Sequence, residues 1–242
     1  MVASSPKIVS ALQESEPAPT PLARRHAARL RHYWRSCGWA CHDNIDIDLM
    51  RWGLVVETTD LASAACFTLT DAGRVALGES VTRNRRSRDR HADAVVATAE
   101  HLADAGRLVF TELSVRTELE GRWRSCKPDV FSLVRGLRAD HLAPQVHEIK
   151  VSRADLLGEL KSAKIERYRE LAASIYLVIA DGIAAPDEIP ADYGVAIWQA
   201  DGRYRIVRRA PIGDYHLETR HWMALARAHP FTAETGSPQL AL

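Results

Sequence analysis

Two short apolar runs constrain this chain more than any other stretch: Lys127-Pro128-Asp129-Val130 and His147-Glu148-Ile149-Lys150-Val151, each with one acidic residue inside it. If both are strands, side chains alternate between faces, so Glu148 and Lys150 project from one face while Ile149 and Val151 enter the other. A neighbouring antiparallel strand carrying Asp129 would set a second carboxylate beside Glu148. Two carboxylates with an adjacent main-chain carbonyl, that of Ile149, are oxygen ligands suited to Mg²⁺, with Mn²⁺ able to substitute. Lys150 would stand beside such an ion, placed to orient or deprotonate a water, and metal-assisted hydrolysis of a phosphodiester is the chemistry this set supports. The plainer alternative is a solvated strand face with a weak cross-strand ion pair, because an acid-x-Lys triplet recurs by chance.

The 242 residues have room for one large domain or two small ones, and a 46% hydrophobic fraction is ample for a core. No apolar run approaches the roughly 20 residues that span a bilayer, and Met1 to Leu22 suits neither a secretory signal nor a transit peptide. The four cysteines form no C-x-x-C pair, so a soluble, cytoplasmic protein without disulfide staples is expected. A net charge of +1 does not announce a nucleic-acid partner, but the distribution is uneven. Arg24, Arg25, Arg29, Arg31 and Arg35 form one run, and Arg83, Arg85, Arg86, Arg88 and Arg90 crowd a second. Such runs meet phosphates, or they are a solvated helix face and a flexible linker.

The first arginine run lies in a segment of helical spacing, Pro21 to Ser36. A short helix capped by Asp43 or Asn44 runs to Met50, then two apolar strands, Gly53 to Glu57 and Ala65 to Leu69, lead to a helix capped by Thr70. That layout resembles a winged-helix domain of bacterial regulators. Asp43, Asp46 and Asp48 on the second helix would repel phosphate, so DNA contact would fall to the arginine helix or the wing, and a protein-contact role is equally open. Gly78 to Arg90 reads as a linker or a helix extension. Beyond it come a helix from His91, strands at Leu108–Val115, Pro128–Val134 and Gln145–Val151, and a helix with Ser152 as its cap that continues to about Ala173 and aligns Lys161, Lys164 and Tyr168. A buried strand follows from Ser174 to Ala180, then a hairpin around Asp201-Gly202 and a last helix from Tyr215.

From His91 onward the order helix, three strands, helix, strand resembles the PD-(D/E)xK nuclease superfamily, the restriction-endonuclease-like fold. Pro128-Asp129 stands in the place of the PD and Glu148-Ile149-Lys150 in that of the ExK, nineteen positions after Asp129. More narrowly, the run from Glu148 to Leu157 with the later Lys161 and Tyr168 is similar to the MmcB-like group of bacterial DNA-repair proteins. The resemblance covers roughly Ala92 to Arg209.

It implies an α/β fold with a restriction-endonuclease-like αβββαβ core; the α+β winged-helix-like domain ahead of it lies outside this resemblance and is read from its own layout. The expected division is a disordered leader over 1–20, the winged-helix-like domain over 21–80, an Arg-rich linker over 81–90, the nuclease-like domain over 91–230 and a tail over 231–242. It also implies that Asp129 and Glu148 ligate the ion and that Lys150 positions the water and stabilises the transition state. An acidic residue of the first core helix, Glu100, would complete the site, with Glu112 on the first strand as competitor. Asp155 is either a helix cap or a further ligand. Lys161, Lys164 and Tyr168 would face the scissile phosphate, or form an ordinary helix surface. From the charge runs, and not from the resemblance, Arg24, Arg25, Arg29, Arg85 and Arg86 would bind the DNA backbone, or belong to a solvated helix face and a linker. The histidines are read as structural. The expected activity is Mg²⁺-dependent cleavage of DNA in repair or defence, by a homodimer or with a protein partner at the winged-helix-like domain. The alternatives are a silent nuclease-like binding module and a winged-helix regulator.

Overall fold

The computed structural model describes residues 16–36, 38–39, 41–59, 65–119, 121–162 and 165–232. Most of the expected leader, most of the tail and Lys164 lie outside the described residues. The chain divides into two compact units, Met1–Arg86 and Ser87–Leu242.

The first unit holds α1 (Arg24–Arg35), β1 (Gly38–Trp39), α2 (Asn44–Arg51), β2 (Val55–Thr59) and β3 (Ala65–Leu69). The strands form one antiparallel sheet in the order β1-β3-β2. One stripe of α1, with Ala27, Leu30 and Tyr33, is buried, and Leu30 and Tyr33 join Leu49, Leu54, Val55 and Phe67 in a single apolar cluster. Asp43 caps α2 by accepting from the N–H groups of Ile45 and Asp46. Thr70 caps the next helix, accepting from the Gly73 N–H at 3.0 Å while its hydroxyl donates to the Gly53 carbonyl. The carboxylates of α2 are spent inside this unit. Asp46, with no exposed surface, accepts from Arg29 and the Tyr33 hydroxyl at 2.6 Å each and from the N–H groups of Cys41 and His42. Asp48 meets His26 at 2.9 Å.

That next helix, α3, is continuous from Asp71 to Asp104. The segment Gly78 to Arg90 is therefore helical, and Arg83, Arg85, Arg86, Arg88 and Arg90 are exposed on it. After α3 come β4 (Arg107–Phe110), β5 (Val115–Leu119), β6 (Arg122–Cys126), β7 (Val130–Val134), β8 (Gln145–Lys150), α4 (Arg153–Leu160), β9 (Ser174–Ala180), β10 (Gly194–Trp198), β11 (Tyr204–Arg208) and α5 (Thr219–Arg227). Six strands make a mixed sheet in the order β11-β10-β9-β8-β7-β4, with β8, β9 and β10 parallel and the remaining neighbours antiparallel. The protein is thus mixed α/β. Two expectations are corrected. The strand expected over Leu108–Val115 stops at Phe110, and Val115 instead opens the hairpin β5-β6, turned by Gly121 at φ +70°. The helix expected to reach Ala173 ends at Leu160, and a short 3-10 turn, Ile165–Tyr168, takes its place.

The sheet is apolar on both faces, as parallel strands under helices require. Val130, Ile149, Val178 and Ala196 pack with Ala94, Ala99 and Leu102 of α3. Phe131, Val146, Leu177 and Ile179 face the other way and pack with Leu156, Ile165 and Tyr168. By alternation Glu148 and Lys150 point to this second face, as expected from the sequence. Among the described residues no helix is long and apolar enough to cross a membrane.

Candidate active site

The ladder between β7 and β8 closes with the pair Val130 and His147. One residue earlier Asp129 replaces main-chain pairing with its side chain, and Oδ2 accepts from the Ile149 N–H at 2.8 Å. In a strand the N–H and C=O of one residue leave by the same edge, so the Ile149 carbonyl points off β8 toward the Asp129 side. Glu148, with no exposed surface, accepts from the Tyr168 hydroxyl at 2.7 Å through Oε1 and from Lys150 Nζ at 3.0 Å through Oε2. Lys150 reaches a second carboxylate, Glu159 of α4, also at 3.0 Å. On the open side His91 of α3 approaches Asp129, with Nε2 to Oδ2 at 3.3 Å.

Burial alone would make each of these charges costly, and the partners decide the outcome. Burial pulls the Lys150 ammonium down, but Glu148 and Glu159 outweigh it and hold Lys150 above the usual lysine range. Burial pushes the Asp129 carboxyl up, but hydrogen bonds from His91 and the Ile149 N–H, with the charges of His91 and Lys150, hold it below the usual carboxylate range. Burial and Glu148 together raise the Tyr168 phenol far above an ordinary tyrosine. The hydrogen bond to Asp129 raises His91 against the opposing effect of burial. At neutral pH the site therefore holds an ionised Asp129, a charged Lys150 and a neutral, donating Tyr168.

The structure brings Asp129, Glu148, Lys150 and Tyr168 together, Tyr168 as a buried anchor of Glu148 and not as the surface group expected. Glu100 is not among them. It is exposed on α3, because Ala94, Thr98, Ala99 and Leu102 take the inward stripe and Glu100 falls off it. Glu112 pairs with Lys127 at the surface. Asp155 is a cap partner, its Oδ2 accepting from the Ser152 hydroxyl at 2.8 Å. Lys161 is exposed just past the end of α4, so it does not align with Tyr168 along one helix. Arg29 is corrected as a phosphate ligand, since its guanidinium is held by Asp43 and Asp46 at 2.6 Å each. Arg24, Arg25, Arg85 and Arg86 are exposed. Glu159 and His91 were missed. Both occupy inward helical stripes, Glu159 three residues after Leu156 and His91 three before Ala94, and a charged or titratable residue on an apolar stripe was the available signal.

Among the described residues no group of three or more His, Cys, Asp or Glu is arranged to hold an ion. Two carboxylates and a main-chain carbonyl still match the kind of oxygen donor set that Mg²⁺ takes, since that ion keeps several of its waters. Asp129 also has an oxygen to give, because both of its hydrogen bonds end on Oδ2.

No family model matches the chain, and no curated protein matches it. Among solved structures, a protein of unknown function from Silicibacter pomeroyi is similar to it, at 25% identity over 55% of this chain and 79% of that one, with a TM-score of 0.40.

Proposed function

We propose that this protein is a divalent-metal-dependent nuclease of the PD-(D/E)xK type that hydrolyses DNA phosphodiesters, in DNA repair of the MmcB-like kind or in defence. The observation that carries the reading is the convergence of Asp129, Glu148 and Lys150 where the ladder between β7 and β8 ends. Support also comes from the succession α3, β4, β7, β8, α4, β9, which has the α-β-β-β-α-β order once the hairpin β5-β6 is set aside as an insertion.

In this reading Asp129 and Glu148, with the Ile149 carbonyl, hold Mg²⁺ or Mn²⁺. Such an ion supplies charge neutralisation at the phosphate and a more acidic bound water. Lys150 stays protonated between two carboxylates, so it acts as a donor that orients the water and steadies charge on the phosphate oxygens, not as a base. Glu159 keeps the ammonium in place, and Tyr168 fixes the rotamer of Glu148. The exposed arginines of α3, Arg85 and Arg86, and of α1, Arg24 and Arg25, suit phosphate contact. A second reading, a silent binding module on the same scaffold, is favoured by one fact: Lys150 already supplies a cation to Glu148.

The two separate on a panel of supercoiled plasmid, linear duplex and single-stranded DNA, with Mg²⁺ and then Mn²⁺, beside Asp129→Asn. Cleavage that needs the ion and falls at least about a hundredfold in the variant is expected. DNA binding without cleavage by the wild type would leave the binding module.

A further inference from the structure

Two hydrogen bonds converge on a single oxygen of Asp129, and they come from different elements. The Ile149 N–H of β8 donates at 2.8 Å, and the His91 ring approaches from α3 at 3.3 Å, both to Oδ2. A carboxylate only accepts, so Nε2 of His91 carries the proton in this contact. A ring nitrogen that carries a proton has no lone pair to give a metal ion. Oδ1 takes no hydrogen bond and remains for another use.

Asp129 precedes the first residue of β7 and has no ladder pairing of its own. Its rotamer therefore rests on these two donors, one of them main chain and the other a replaceable side chain. The His91 side chain is 38% exposed, and the residue lies one turn before Ala94 on the stripe of α3 that Ala94, Thr98, Ala99 and Leu102 bury. The packed helix fixes the backbone from which the ring reaches Asp129. Donors of this kind, one shell removed from an ion, orient the ligating oxygen and typically change metal affinity by about 10–100-fold.

Building on the nuclease reading, we propose that His91 is a positioning residue for metal binding: its N–H holds Asp129 by Oδ2 so that Oδ1 is the oxygen offered to a divalent cation. His91 acts through Asp129 and does not ligate the ion. This role makes two substitutions differ. Glutamine places its amide N–H₂ about where the imidazole Nε2 stands and keeps a donor, whereas leucine keeps the bulk and loses it.

The experiment is Mn²⁺ binding to the full chain, followed by the loss of the free-ion electron paramagnetic resonance signal, for the wild type, His91→Gln, His91→Leu and Asp129→Asn. Thermal melts of each variant establish that it is folded. The expected result is a site lost in Asp129→Asn, weakened about tenfold in His91→Leu, and kept within about threefold in His91→Gln. Wild-type affinity in His91→Leu would overturn the proposal while leaving the metal reading intact. Equal weakening in His91→Gln and His91→Leu, with a shift of preference from Mn²⁺ toward Mg²⁺, would overturn it in favour of direct ligation by His91. Unchanged binding in Asp129→Asn would remove the metal reading itself, and the proposal with it.

Discussion

His147 neighbours Glu148 on β8 but enters the opposite face, where its ring stacks on Tyr176 with centroids 4.9 Å apart and planes 8° apart. Neither ring nitrogen has a hydrogen-bond partner. Burial, reinforced by the charge of Arg107, holds its pKa down to about 3, against 6.5 for an ordinary histidine. The unfolded chain takes up this proton as pH falls through 6.5, and the folded chain does not until about 3. Stability is therefore lost as pH falls across that window, at up to about 1.4 kcal/mol per pH unit from this group. His147→Phe keeps a ring against Tyr176 and removes the proton, so urea denaturation at pH 7 and 4.5 is expected to show a smaller acid loss in the variant; an equal loss would contradict the assignment. At this scale the sequence was legible where one period sufficed. Alternation alone put Glu148 and Lys150 on one face and Ile149 on the other. Pairings across 9 to 38 positions, Lys150 with Glu159 and Asp129 with His91, depend on the path of the chain, so the stripe positions of Glu159 and His91 could mark them as inward without naming their partners. The same limit hid Arg29, which looks like its neighbours Arg24 and Arg25 until α2 brings Asp43 and Asp46 to it.

The elements repeat that pattern. Caps at Asp43, Thr70 and Ser152 and the turn at Asp201-Gly202 were readable because each is a contact of a few residues. The end of α4 was not, because helical spacing continues through Lys161 and Tyr168 while the chain leaves the helix to bring the Tyr168 hydroxyl to Glu148. The hairpin β5-β6 escaped because its strands are rich in charge, with Val115, Thr117 and Cys126 the buried positions among its described side chains. For α3 the sequence left linker and helix extension open, and the continuous helix makes a prediction. Gly78 is exposed, and a Cβ built on it meets nothing within 4 Å. Gly78→Ala should therefore stabilise the protein by about 0.5–1 kcal/mol in urea denaturation, the cost of glycine inside a helix. No gain would indicate that this stretch is not held as helix in solution.

For the whole molecule, a near-zero net charge coexists with concentrated basic stretches, because α1 and α3 carry exposed arginines while Asp46, Glu148 and Glu159 are buried. Asp46, Asp48, Glu148 and Glu159 each meet a positive or donating partner. Exposed arginine runs of this kind would suit the polyanionic substrate proposed above. If the buried cluster on β8 is the hydrolytic centre proposed above, Lys150 separates it from a merely structural ion pair. The most direct measurement is the rate of DNA cleavage under saturating Mn²⁺ by the wild type and by Lys150→Met, with Mn²⁺ binding recorded on the same samples. A fall of at least about a hundredfold in rate, with the ion still bound, is predicted for a group that acts on the transition state. Equal rates in the two proteins, or no cleavage by a wild type that holds the ion, would contradict the account.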